Sequence, residues 1–115
     1  MRRVRWGPVL LADRFGIRFL GLMGRTRWPA GHRGIFFPRC RALHTCFTFL
    51  KPDIVFVDKK NRILQVIPSA PSWRFWSGPP GTQHCLEVPS GALGLPGAGE
   101  RMPTLELDFI PKNKE

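Results

Sequence analysis

The stretch that most constrains this chain is residues 53–67, DIVFVDKKNRILQVI. Two runs rich in β-branched and aliphatic residues flank a polar four-residue loop, which is the pattern of a β-hairpin. Residues 54–57 are apolar at every position, so they cannot alternate between a core and a wet face. Such a strand belongs in the middle of a sheet, covered on both sides.

The remaining segments are read around that hairpin. VRWGPVLL at 4–11 reads as a strand, and Gly7 and Pro8 within it predict an edge position, because proline cannot donate to a ladder. IFF at 35–37, CRALHTCF at 40–47, QHCLEV at 83–88 and the alternating TLELDFI at 104–110 supply further strands. Phe15, Phe19, Leu22 and Met23 recur at helical spacing behind Asp13 and ahead of Gly24, predicting a short amphipathic helix over 13–23. SGALGL at 90–95 suggests one helical turn. Residues 68–82 read as a long Pro/Ser/Gly connection carrying Trp73, Arg74, Phe75 and Trp76, and long loops in compact domains are often functional. The fold expected is mainly β, a small antiparallel sandwich or barrel with one or two short helices. With 115 residues there is room for a single domain, placed at 1–110, followed by a flexible tail at 111–115.

Charge narrows the partners. The net charge is +10, and residues 1–52 carry 11 of the 18 Lys/Arg against the single acid Asp13. Residues 53–115 carry the other 7 against 7 acids, so the whole excess lies in the first half. That field attracts nucleic acid, acidic lipid or an acidic protein. No Lys/Arg block or aromatic-interleaved basic repeat accompanies it, so Arg scattered over a solvated surface is the simpler reading, and nucleic-acid binding is expected to be weak and non-specific. The start of the chain has basic residues before PVLLA, but that apolar run is shorter than the roughly 7–15 residues of a signal core. With no apolar run long enough to span a membrane, a cytoplasmic protein is expected.

The segment CRALHTCF places two thiols, an imidazole and a hydroxyl within eight residues. In an extended strand it puts Leu43, Thr45, Phe47 and Phe49 on one face, which should be core. Cys40, Ala42, His44 and Cys46 fall on the other. Three cysteines (Cys40, Cys46, Cys85) with no close pair make neither a disulfide scaffold nor a zinc ribbon. Cys40 and His44 are about 13 Å apart on a flat strand, too far to share one zinc ion without a turn between them. A metal- or thiol-dependent enzyme using Cys40, His44 and Cys46 is the alternative. However, no nucleophile elbow, oxyanion hole or helix N-terminus beneath a thiol is legible. No cofactor and no catalytic or metal-binding set is expected.

Five motifs in order carry a resemblance: GLMGR (21–25), C-x3-HT (Cys40, His44, Thr45), DIVFVD (53–58), SWR (72–74) and LEVPSG (86–91). Together they resemble the family called "domain of unknown function 192" over roughly residues 10–107. The resemblance implies a small bacterial or archaeal protein of mainly β architecture without an established activity. Beside it, the residues themselves suggest a binding or accessory protein with a small polar site near His44 and Asp53. Its candidate members are Arg25, Cys40, His44, Thr45, Asp53 and Arg74. Asp53 sits at the mouth of an apolar strand, where a charge needs a partner, and Arg25 or Arg74 could supply one. An ion pair or hydrogen-bonded cluster that locks the strands together is the simpler reading of the same residues.

Overall fold

The computed structural model describes residues 5–11, 28, 33–46, 49–91 and 104–108. These form eight strands: β1 (Arg5–Leu11), β2 (Ile35–Phe37), β3 (Ala42–His44), β4 (Asp53–Val57), β5 (Ile63–Ile67), β6 (Phe75–Ser77), β7 (His84–Val88) and β8 (Thr104–Asp108). Six of them build one sheet in the order β5-β4-β7-β2-β1-β8, and β3 pairs β6 in a separate two-stranded ribbon. The described residues contain strands and no helix, so the chain is mainly β and sandwich-like. The helix expected at 13–23, and most of the turn expected at 90–95, lie outside the described residues. Among the described residues, no helix is long and apolar enough to cross a membrane.

The hairpin forms as its sequence dictates. β4 pairs β5 antiparallel, and a register shift between Phe56 and Val57 absorbs the turn. Asp58 closes that turn: its Oδ1 accepts from the N–H groups of Lys60 and Arg62, both at 2.8 Å, while Asn61 takes up a left-handed φ of 64°. Aspartate and asparagine favour this geometry, because a short polar side chain can bond the backbone two to four residues on. On its other side β4 pairs β7 antiparallel. Ile54, Val55, Phe56 and Val57 are all fully buried, as expected of a doubly covered central strand.

The two faces of β4 feed two clusters. Ile54 and Phe56 join Ile35, Phe37, Ala70 and Cys85, with Leu43 and Trp76 of the ribbon packed on them. Val55 and Val57 join Val9, Ile63, Leu86 and Val88 on the opposite face. The ribbon therefore forms a second layer over the first of these faces.

Three expectations are corrected. β1 is not an edge: it lies between β2 and β8 and is parallel to both, while the remaining pairings are antiparallel, so the fold is mainly antiparallel as expected. Pro8 is accommodated because the β1–β8 register shifts between Trp6 and Val9, and such irregularities are where interior strands tolerate proline. The connection at 68–82 is interrupted by β6, whose three residues are too few to show a period against the Pro and Gly around them. Phe49, expected in the core, is 68 % exposed. It follows the end of β3 at His44, so strand alternation no longer fixes its direction.

Candidate functional site

The ribbon carries the reactive groups. β3 and β6 pair with Ala42 opposite Ser77, Leu43 opposite Trp76 and His44 opposite Phe75. Leu43 and Trp76 turn inward onto the Ile54/Phe56 cluster. By alternation Ala42, His44, Phe75 and Ser77 face outward. The outward surface is rich in aromatic rings. Phe75 is 82 % exposed, and its ring stands 6.3 Å from the His44 imidazole at an interplanar angle of 54°. Trp73, two residues before it, is 63 % exposed. Arg74 between them is exposed, as is Arg41 at the other end of β3.

Trp73 is held at φ 65°, a left-handed conformation that bulky side chains rarely adopt. Its N–H donates to the Thr45 carbonyl at 3.0 Å, tying it to the residue after β3. Strain held in place by surrounding bonds is characteristic of segments with a task beyond packing. Thr45 is the bracket: fully buried, its hydroxyl donates to the Pro71 carbonyl (2.6 Å) and accepts from the Arg74 N–H (3.1 Å) and the Trp76 indole N–H (3.2 Å). Its own N–H donates to the Arg74 carbonyl at 2.8 Å. Thr45 thus acts through the loop it fixes.

The other candidates fall in separate places. His44 Nδ1 accepts from the Cys46 N–H at 3.1 Å, which leaves Nε2 to carry the ring proton when the imidazole is neutral. Cys40 is half-buried at the edge of the Ile54/Phe56 cluster, with its thiol donating to the Ala42 carbonyl and its own carbonyl accepting from the Cys85 thiol, each at 3.0 Å. Asp53 lies at the start of β4. Its Oδ1 accepts from the Ser69 N–H and its Oδ2 from the Gly91 N–H, both at 2.8 Å. Its bonded partners among the described residues are therefore two backbone amides rather than Arg74; Arg25 lies outside the described residues. Gly91 makes its bond at φ 76°, which glycine adopts without strain. None of the three cysteines is in a disulfide, and among the described residues no three His, Cys, Asp or Glu side chains group as metal ligands would.

One ionisable residue escaped the sequence reading. Glu87 on β7 sits across from Ile35 and Ile54, sharing their face, and is only 4 % exposed. Burial, with the neighbouring Cys40 thiol adding repulsion once ionised, pushes its carboxyl up to about 8. The signal was present in CLEV, an acid inside an apolar strand. His84, at the other end of β7, is shifted down by burial and by the Arg39 charge. Its Nδ1 accepts from the Arg39 N–H at 3.0 Å.

The architecture is a mixed sheet with DIVFV and HCLEV as central strands, topped by a ribbon of ALH and FWS. The family described as "Uncharacterized ACR", domain of unknown function 192, matches residues 3–97. The chain belongs to this family. No curated protein matches the chain. Among solved structures, a "putative transcription regulator" from Sinorhizobium meliloti superposes with a TM-score of 0.65 at 22 % identity, covering 78 % of each chain. A protein of unknown function from Novosphingobium aromaticivorans superposes with a TM-score of 0.63 at 23 % identity, covering 77 % of this chain and 70 % of its own. At these identities the likeness to both is one of fold.

Proposed function

We propose that this member of the family is a non-enzymatic binding protein whose working face is the outer side of the β3–β6 ribbon, and that it holds single-stranded nucleic acid there. The observation that carries this reading is the pair of large rings, Phe75 and Trp73, left open to solvent with Arg74 between them. Contiguous exposed apolar surface marks interaction sites more often than chance. Flat aromatic rings beside cations suit unstacked bases on a phosphate chain, and the net charge of +10 favours that partner over a cationic or neutral one. His44, its ring tilted beside that of Phe75, extends the aromatic surface. In this reading Thr45 positions the face, while Cys40 and Asp53 anchor the segments around it.

The test is fluorescence anisotropy with a labelled 12-nucleotide single strand of mixed sequence. Wild type is expected to bind at low salt and to weaken steeply as salt rises, since counterion release drives such association. Phe75→Ala should weaken binding about tenfold, the loss of one stacked base at ~1–3 kcal/mol. Unchanged affinity in Phe75→Ala would remove the ribbon from the binding face. Failure of the wild type to bind at low salt would point to a protein partner for the aromatic surface.

A further inference from the structure

Away from the ribbon's aromatic end, three segments distant in sequence border an open cleft of about 460 Å³. Arg41, just before β3, forms one wall. The β4–β5 turn contributes Asp58, Lys59, Lys60 and Arg62, and Gly81, Thr82 and Gln83 close the third side. Each wall is fixed by backbone bonds. The Arg41 carbonyl accepts from the Gly78 N–H at 2.8 Å, the Gln83 N–H donates to the Val57 carbonyl at 2.8 Å, and the Asp58 N–H donates to the Arg62 carbonyl at 2.9 Å. Thr82 is buried and its hydroxyl is bonded to the Pro79 carbonyl at 2.7 Å.

The lining carries four cations and one acid, a balance of 4 − 1 = +3. The acid is already engaged: Asp58 Oδ1 takes both turn amides, and these bonds, led by that from Arg62, hold its carboxyl below the usual range. Arg41, Lys59, Lys60 and Arg62 are exposed at the rim, on walls that do not need to reorganise. A pocket of this size takes a small ligand rather than a single ion, and its charge excludes cationic ones. Guanidinium forks with nearby ammonium groups match phosphate oxygens, which accept several charge-assisted hydrogen bonds at once.

We infer that this cleft is a binding site for a phosphate-bearing ligand, with Arg41, Lys60 and Arg62 as its principal contacts. The inference stands apart from the ribbon reading. The phosphate could belong to a free phosphorylated small molecule or to a nucleic-acid strand that continues past β3, and the experiment separates these. Isothermal titration with inorganic pyrophosphate at low salt should show saturable binding to the full chain. The double variant Lys60→Glu/Arg62→Glu should weaken it at least tenfold, and Phe75→Ala should leave it unchanged. Lys112→Glu/Lys114→Glu, with the same change in net charge, should also leave it nearly unchanged. An equal loss in that control would reduce the effect to overall charge and overturn the site, as would unchanged pyrophosphate binding in the cleft variant. If the cleft variant also loses affinity for the 12-nucleotide strand, the site receives the strand's phosphates. If it loses pyrophosphate alone, the site receives a free phosphorylated ligand.

Discussion

Replacing Glu87 with glutamine should make the protein more stable at pH 8.5 and change it little at pH 5.5. The sign follows from proton linkage. The folded carboxyl is held up at about 8 while its ordinary value is 4.5, so between those limits the folded state keeps a proton that the unfolded chain has released. Below the lower limit both states are protonated and burial of the ionised group is not at issue. Through the window, stability falls by ~1.4 kcal/mol per pH unit, and above it the full cost, on the order of 5 kcal/mol, is in force. That is a large share of the roughly 5–15 kcal/mol that holds a domain together. Glutamine keeps the shape and a neutral polar head, and it does not titrate. Urea denaturation of both proteins at pH 5.5, 7 and 8.5 isolates the effect as a difference, because His84 and the exposed carboxylates titrate alike in both. A difference that stays flat across this range would mean that Glu87 is ionised and well partnered in the fold.

The apolar patterning that made β4 legible is also what hid Glu87. A strand buried on both faces reads as a continuous apolar run, and IVFV at 54–57 does, so that strand could be placed at the centre of the sheet from composition alone. In HCLEV the single acid looks like an ordinary solvent-facing position until the register sets it between Ile35 and Ile54. Position in the sheet is non-local and was less readable. Nothing in VRWGPVLL says that it runs parallel to two neighbours, and Pro8 argued against an interior place until a register shift made room for it. β6 was invisible because its pairing with β3, across some thirty residues, is what makes it a strand.

The candidate site divides along the same line. The inward and outward sides of β3 followed from alternation, so Leu43 in the core and His44 outside were accessible from CRALHTCF. That the hydroxyl of Thr45 would be taken up by two backbone groups and the Trp76 indole, and the carboxylate of Asp53 by backbone amides, was not. Their partners, at residues 69–76 and 91, come from loops whose paths no local pattern fixes. Of the candidate residues in CRALHTCF, Thr45 is the one whose side chain braces the ribbon. The surface left open belongs to Trp73 and Phe75, in a stretch that read as a connection.

Thr45→Val should therefore destabilise the protein by ~2–4 kcal/mol, although valine matches threonine in size and this site is fully buried. The hydroxyl serves three groups at once, donating to the Pro71 carbonyl and accepting from the Arg74 N–H and the Trp76 indole. Valine answers none of them, and each buried polar group left unmet costs about 1–3 kcal/mol, partly recovered where water can enter near half-exposed Trp76. Thr45→Ser keeps the hydroxyl and loses only a methyl group, so it should cost about 1 kcal/mol. Chemical denaturation of the two variants checks the order, and a valine variant no less stable than the serine one would show that these bonds add nothing net. The same pair tests how the ribbon is held. Valine keeps the two backbone bonds between Thr45 and the Trp73–Arg74 segment but loses the hydroxyl's bonds to Pro71, Arg74 and Trp76, so amide exchange at Arg74 should accelerate in Thr45→Val and stay slow in Thr45→Ser. Affinity for the single strand should then fall in the valine variant alone, even though Thr45 lies beneath the face that Phe75 and Trp73 present.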